Sequence, residues 1–547
     1  MRPSQEREPS RFSGPMRDRL LDHLKRFGRE EDGVMVILSV YMFLIMILVG
    51  GIGVDLIRFE MERTRLQNTL DRAVLAAADL DQTLDPTDVV MNYFDKSGLG
   101  DRLTRDDVTV TQGVGYRMVQ ATASTQVRTQ FMHMMGVDSM TAPGAGAAEE
   151  SIGSVEVSLV LDISGSMDSN SRLTRLKPAA RGFVDTILEN SEEGKVSISI
   201  VPYATQVNAG ETLLDQYATT SEHNYSHCVN FNANQYSRAD LSRTVEMERT
   251  GHFDVFTYSE DPISRPVCPT RAGSEILPLS GDRTTLYNHI NSLTADGNTS
   301  IDIGMKWGTA MLDPGTRSVV SDLVSAGEIN ADFDGRPADY RDGETLKIVV
   351  LMSDGQNTDQ YMLNPSLRDG DSDVWYNSEE DKYSVRKSNT EDNYYWPHDN
   401  SWNDHPYGNG TTEECSRWGW RYYCEERDEP GTAVRMTYPE LWAQVSLAWN
   451  AQYNYEFAGN AWAKWYNSAH TFLNGTAKDQ HTNHICDATK DEGVIVFTIG
   501  FEAPRGGRRV LERCASSASH YFDVDGLEIE EAFKSIAASI RKLRLTQ

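Results

Sequence analysis

The sequence predicts an α/β fold with a doubly wound, mostly parallel sheet, preceded by a long N-terminal transmembrane helix and a small α+β segment. Apolar strand patterns at Val155–Leu161, Val196–Tyr203 and Lys347–Met352 alternate with helix patterns such as 172–190. This βα alternation is typical of a parallel sheet with helices on both faces. The membrane helix is predicted because residues 34–54 carry no charge.

The uncharged run is long enough to span a bilayer core, since a helix of this length reaches about 30 Å. Eight Lys or Arg residues precede it and four lie in the next 25 residues, so residues 1–33 are expected to be a cytoplasmic tail and the rest extracytoplasmic. The run ends in glycines and Asp55 instead of a small-residue cleavage site, which favours an uncleaved anchor.

The helical pattern continues as an exposed helix to about residue 82, where Asp85-Pro86 is expected to stop it. Residues 85–140 are predicted to form a small strand-rich segment, because the stretch 107–131 alternates as strands do. Residues 141–150, rich in Gly and Ala, are expected to be a flexible linker.

The main domain is predicted over residues 153–545, with polar insertions at 204–280 and 356–436. Nine of the ten tryptophans lie between residues 375 and 465. A disordered loop would be poor in aromatic residues, so the second insertion is expected to be ordered. Its aromatic residues fit a partner-binding face and a small local core equally well.

The net charge of −29 excludes a nucleic-acid binder, because no basic surface is available for phosphates. The six cysteines form no CxxC motif, and their even number favours disulfides in an oxidising compartment. Of the 15 possible pairings the sequential one is the simplest, and it joins Cys228 to Cys268, Cys415 to Cys424 and Cys486 to Cys514.

A loop of oxygen donors follows the strand Val155–Leu161. It carries Asp162, Ser164 and Ser166. Ligands of open α/β sheets bind where strands end, and hard oxygen donors suit a divalent cation such as Mg2+. The alternative is that these residues only cap the loop and the helix that follows.

Other ligand-like patterns are weaker. The run Asn330-x-Asp332-x-Asp334 lacks the final Glu of a calcium loop and favours a turn. A surface calcium site at 369–373 has little support, and His481, His484 and Cys486 are better explained by a helix face and a disulfide. No phosphate loop, Gly-x-Ser-x-Gly or His-Glu-x-x-His motif is present, so no enzymatic activity is expected.

The N-terminal segment combines Phe27, Gly33, the apolar run, Gly53-Val54-Asp55 and the stretch 65–78. In these residues it resembles the TadE/TadG-like proteins that assemble Flp pili in bacterial tight-adherence secretion systems. It implies a single-pass inner-membrane protein with a periplasmic or extracytoplasmic domain. The pilin peptidase site of such systems is not matched, because the fifth residue after Gly28 is Gly33 instead of Glu.

From Val155 onward the chain resembles a von Willebrand factor A domain, which has a Rossmann-like doubly wound sheet. Asp162, Ser164 and Ser166 match the first part of that family's metal-ion-dependent adhesion site, Thr299 the second part and Asp354 the third. The resemblance implies Mg2+, or Mn2+ or Ca2+, with an open position for a carboxylate from a protein partner.

These resemblances lead to three functional hypotheses. The first is a pilus assembly or adhesion accessory protein that binds pilus or envelope proteins through the metal. The second is a metal-independent envelope scaffold. The third is a surface hydrolase with Ser164 or Ser166 as nucleophile, which is disfavoured because no triad can be assigned.

Overall fold

The chain divides into two compact units, Met1–Gln112 with Tyr116–Ser151, and Gly113–Gly115 with Ile152–Gln547. The computed structural model describes residues 32–544, apart from residues 80, 81, 83, 114, 115, 152, 153, 190, 192, 259–261, 343, 344, 389 and 390. The predicted cytoplasmic tail therefore lies almost wholly outside the described residues, as does Gly28 of the peptidase-site comparison.

The first unit packs two helices against a three-stranded sheet of order β1-β2-β3. Its elements are α1 (Asp32–Ala78), α2 (Pro86–Lys96), β1 (Val108–Gly113), β2 (Tyr116–Arg128) and β3 (Ser139–Ser151). The predicted apolar run lies inside α1, which is long and apolar enough to cross a membrane. The apolar side chains of this run are largely exposed, as a lipid-facing helix requires.

The predicted linker at 141–150 is wrong, because these residues belong to β3 and pair along their length with β2. The small residues that suggested flexibility have a packing role here. A Cβ on Gly144 would lie 3.4 Å from Leu66, and one on Gly146 would lie 3.3 Å from Leu70. The tighter distance at Gly146 shows that glycine there lets the strand lie close against the helix.

The prediction that Asp85-Pro86 stops the long helix is also wrong, because the helix ends before this dipeptide. α1 ends at Ala78, earlier than the expected residue 82. Asp85 instead caps the start of α2, because its carboxylate accepts a hydrogen bond of 3.1 Å from the backbone N–H of Asp88. Pro86 occupies the first helical position, where a missing N–H costs nothing.

The second unit is built on a six-stranded sheet of order β20-β19-β9-β4-β5-β8. The strands of this unit are β4 (Ser154–Asp162), β5 (Val196–Tyr203), β6 (Val229–Asn230), β7 (Glu248–Arg249), β8 (Leu277–Ser280), β9 (Thr345–Ser353), β10 (Gln360–Leu363), β11 (Asp371–Asn377), β12 (Lys382–Ser388), β13 (Glu391–Trp396), β14 (Ser401–Asn403), β15 (Thr411–Trp418), β16 (Arg421–Asp428), β17 (Ala433–Thr437), β18 (His470–Leu473), β19 (Ile495–Phe501) and β20 (Tyr521–Val524). Its helices are α3 (Arg172–Leu188), α4 (Glu211–Leu214), α5 (Arg283–Ser292), α6 (Ile301–Ala310), α7 (Arg317–Ser325), α8 (Tyr438–Gln444), α9 (Leu447–Trp449), α10 (Gly475–Asp491), α11 (Arg505–Cys514) and α12 (Glu528–Arg544).

The predicted α/β class is confirmed. In the six-stranded sheet β4 pairs in parallel with β5 and β9, β9 with β19 and β19 with β20, while β8 is an antiparallel edge strand. Side chains of one face pack against α3, α5 and α12, and those of the other against α6, α7, α10 and α11. The remaining strand pairs that the structure describes are antiparallel and form smaller sheets.

The second insertion is ordered and extends beyond the predicted limit of residue 436, since β10 and β18 pair at its base. Its aromatic residues form a local core around Trp442 and Trp465, together with residues of the first insertion such as Phe253. Between residues 438 and 467 the chain forms short α- and π-helical segments, and it then returns through β18 to begin α10.

A disulfide-closed hairpin of β15 and β16 stands apart from this core, with every residue of both strands exposed. Trp418 is 84% exposed and Trp420 is 96% exposed, so the tip fits the partner-face interpretation. The three sequential disulfides predicted for the six cysteines are confirmed.

Candidate functional site

The candidate site lies at the carboxyl ends of β4 and β9, two parallel neighbours. Asp162 is the last residue of β4, and Asp354 directly follows β9. The pairing of Leu161 with Met352 brings these two ends side by side. The fold therefore places together two carboxylates that are far apart in the sequence.

Asp162 is fully buried and shapes the loop that follows it. One carboxylate oxygen accepts a hydrogen bond of 2.8 Å from the backbone N–H of Ser164. The other accepts one of 2.7 Å from the hydroxyl of Ser353. Both oxygens are thus engaged, so Asp162 ties the loop to the end of β9.

The hydroxyls of the loop converge on Asp354. Ser164 Oγ and Ser166 Oγ lie 3.1 Å apart, and Ser166 donates a hydrogen bond of 2.7 Å to Asp354 Oδ1. Ser164 is buried, whereas Ser166 is exposed and gives the cluster access to solvent.

Thr299 comes from the loop before α6 and lies beside the cluster formed by Ser166 and Asp354. A Cβ on Gly355 would lie 3.4 Å from Thr299 Oγ1 and 3.9 Å from Ser166 Oγ, so both hydroxyls lie beside Gly355. The loops are tied together by a 2.9 Å bond from Gly165 N–H to the carbonyl of Gly297. The structure thus brings all five predicted site residues together.

The electrostatics of the cluster favour an added cation. Burial, together with the neighbouring Asp354 carboxylate, raises the pKa of Asp162 to about 7. Burial also raises the pKa of Asp354. Two buried carboxylates side by side repel each other, and carboxylates with hydroxyls are the donor set that Mg2+ prefers. The residues therefore fit a divalent ion.

Sequence patterns did not single out Arg172, the first residue of α3, although it contacts the site directly. Its Nη1 donates to Asp354 Oδ2 at 2.8 Å, and its Nε donates to Glu502 at 2.9 Å. A cation in the first turn of a helix interacts unfavourably with the helix dipole. The position of Arg172 could therefore have indicated that it pairs with a specific acidic residue.

A buried lysine holds the Thr299 loop from behind and was also missed. Lys478 of α10 is fully buried, and its ammonium donates to the carbonyls of Thr299 at 3.1 Å and of Thr358 at 3.0 Å. It lies 3.8 Å from the buried Asp302 carboxylate, which compensates its charge. A single Lys within a polar helix pattern gives no sign of this role.

The other ligand-like patterns form no metal cluster in the part of the chain that the structure describes. Asn330 caps a short turn by accepting from the N–H of Asp332. Asp371 pairs with Arg435. His481 stacks on Tyr236, and Cys486 is bonded to Cys514.

Several solved structures are similar to this chain at low identity. The von Willebrand factor domain of the type V pili tip protein Mfa5 from Porphyromonas gingivalis is 14% identical, with a TM-score of 0.30, covering 72% of this chain and 96% of that one. The open conformation of the pilus adhesin SpaC from Lactobacillus rhamnosus GG is 14% identical, with a TM-score of 0.30, covering 80% of this chain and 33% of that one.

The pilus adhesin RrgA from Streptococcus pneumoniae is 12% identical, with a TM-score of 0.28, covering 80% of this chain and 48% of that one. This chain thus spans only part of SpaC and RrgA. No curated protein matches the chain. Within the chain, residues 33–80 match the family described as "Putative Flp pilus-assembly TadE/G-like".

Proposed function

We propose that this protein is a membrane-anchored pilus assembly or adhesion accessory protein of a Flp/Tad-type system. Its second unit is a doubly wound domain of the von Willebrand A type that binds a protein partner through a divalent cation. The convergence of Asp162, Ser164, Ser166, Thr299 and Asp354 at one sheet edge carries this proposal. The match at residues 33–80 supports the pilus context.

In this proposal the ion is Mg2+, or Mn2+ or Ca2+, and it accepts a carboxylate from a pilus or envelope protein. Ser164, Ser166 and Thr299 supply neutral hydroxyls, and Asp354 supplies a carboxylate. Neutral ligands leave the cation able to attract an acidic group of a partner. Ser166 is exposed, so such a group can approach from solvent.

The apolar part of α1 is the proposed inner-membrane anchor, with the N-terminus in the cytoplasm. Two features support this topology: the excess of Lys and Arg before residue 34 and the disulfides after it. The second unit is then periplasmic or extracytoplasmic.

Calorimetric titration of Mg2+ or Mn2+ into the chelator-treated full chain in detergent tests the metal site. Binding is expected in wild type and is expected to be lost in Asp354→Asn. The matched control is Asp168→Asn, which removes the same charge from an exposed position on the Ser166 loop. Equal binding by all three proteins, or none by wild type, would refute the metal site.

A cellular test addresses the biological role. A bacterial strain that carries Asp162→Ala and Asp354→Ala, with normal protein levels, is expected to lose pili or surface adherence. Full piliation and adherence of that strain would show that the protein does not need this site for its function.

A metal-independent scaffold is the second candidate, and one observation favours it. Arg172 and Ser166 already occupy both oxygens of Asp354, so the site is electrostatically supported by the chain's own residues. Loss of metal binding without loss of piliation would identify this candidate.

A hydrolase is the third candidate. Ser166 donates to Asp354, and among the described residues neither Ser164 nor Ser166 is hydrogen-bonded to a histidine. Labelling of either serine by a fluorophosphonate would support this candidate.

A further inference from the structure

A short turn of the first unit is fixed to the side of α1 by a buried carboxylate. Asp55 is 1% exposed, and its two oxygens accept three backbone N–H bonds, from Gln130 at 2.9 Å and from Phe131 and Met132 at 2.8 Å each. Hydrogen bonds to an ionised acceptor are roughly twice as strong as neutral ones. Asp55 therefore locks this turn at one level of the helix.

A second contact lies one helical turn earlier, inside the uncharged run. Gly51 is buried, and the ring of Phe131 lies directly on it, where any Cβ would overlap the ring. Residues 51 and 55 are four apart and share a helix face. Because Gly51 lies three residues inside the run 34–54, Phe131 sits about 5 Å inside its end.

The surface around this level is apolar on both elements. In the turn, Met134 is 77% exposed and Met135 is 58% exposed. On the helix, Leu56, Ile57 and Met61 are exposed beyond the end of the uncharged run. Exposed apolar side chains on both elements are typical of an interaction site.

We propose that residues 131–137, named here the methionine turn, lie in the headgroup–acyl boundary of the phospholipid bilayer that α1 crosses. The occupant is lipid because Phe131 of the turn packs on Gly51, inside the uncharged run that crosses the bilayer. The exposed pair of His133 and Asp138 is suited to the hydrated headgroup layer. This proposal rests on the membrane anchoring stated under the proposed function.

The consequence is a fixed insertion depth. Amphipathic surface elements bury their apolar side about 5 to 10 Å into this boundary. The Asp55 bonds then hold the methionine turn at a constant height on α1, so the turn prevents the helix from sliding along the membrane normal.

Photolabelling tests the proposal on the full chain, reconstituted in phosphatidylcholine nanodiscs that contain a phospholipid with a diazirine in its acyl chain. Mass spectrometry is expected to find label within residues 34–54 and on Met134 or Met135. The matched control is Leu75, which is 65% exposed on the same helix but about 30 Å beyond residue 54, and it is expected to stay unlabelled.

Label within residues 34–54 without label on the methionine turn would overturn the proposal. Absence of label from 34–54 would overturn the membrane anchoring itself and the proposal with it, so the two failures are distinguishable.

A variant pair tests the lock. Asp55→Ala is expected to lower the label on the turn severalfold relative to the label within 34–54. Glu60→Ala, at an exposed position of the same helix, is expected to leave this ratio unchanged. An unchanged ratio in Asp55→Ala would overturn the role of Asp55.

Discussion

Replacing Arg172 with glutamine is expected to tighten metal binding at the candidate site. Arg172 Nη1 lies 2.8 Å from Asp354 Oδ2, on the carboxylate that the metal would share. A metal ion at Asp354 therefore has a fixed positive charge as its neighbour. Glutamine keeps an N–H donor on a shorter side chain but removes the charge.

The magnitude follows from Coulomb's law. With a metal–oxygen distance of about 2.1 Å, the ion would lie about 5 Å from the guanidinium. Charges of +2 and +1 at about 5 Å repel by about 7 kcal/mol at an effective dielectric constant of about 20. Glu502, at 2.9 Å from Arg172 Nε, offsets part of this repulsion. A tenfold lower Kd corresponds to only about 1.4 kcal/mol, so a decrease of about tenfold or more is expected.

Calorimetric titration of Mg2+ and Mn2+ into the full chain measures this Kd directly. The control is Arg175→Gln, which removes the same charge from the same helix, where Arg175 contacts Glu502 but not Asp354. A Kd in Arg172→Gln that equals or exceeds the wild-type value would refute the reasoning. Arg172 would then be a residue that orients Asp354 for the ion and does not compete with it.

Two further predictions concern stability. Lys478→Met removes the ammonium that compensates the buried Asp302 carboxylate, so the free energy of unfolding is expected to fall by about 3 to 5 kcal/mol. Adding Asp302→Asn is expected to restore part of this loss. Chemical denaturation measures the free energy of unfolding of both variants. Burial lowers the pKa of Lys306 to about 8 from an ordinary value of 10.5, so the folded chain releases this proton before the unfolded chain does. Between pH ~7 and ~9.5 the free energy of unfolding of wild type is expected to rise by about 2 kcal/mol relative to that of Lys306→Met. A difference between the two proteins that does not change with pH would contradict this prediction.

The sequence allowed the α/β pattern to be predicted because buried strands leave continuous apolar runs. Val155–Leu161 is such a run and lies within β4. The linker prediction failed at 141–150 because small residues are ambiguous. They are typical of flexible linkers, but they also occur where a strand packs closely against a helix. Gly144 and Gly146 reveal their role only through Leu66 and Leu70, more than 70 residues away.

The positions of the candidate site were predictable, but its charge balance was not. Asp162 and Asp354 follow strands, and a parallel sheet brings such ends together. Arg172 and Lys478 enter the site from helices, and their partners depend on which helix face meets which loop. Periodicity along the sequence contains no information about that pairing.

The exposed hairpin of β15 and β16 has a consequence for how this surface can vary. Its ladder closes with Thr411 opposite Asp428, so the chain leaves and returns at adjacent points. Its own disulfide, Cys415–Cys424, holds the strands together without help from the aromatic core. The hairpin is therefore an exchangeable module: the residues around Trp418 and Trp420 can be replaced, lengthened or grafted while the sheet that carries the candidate metal loops keeps its packing.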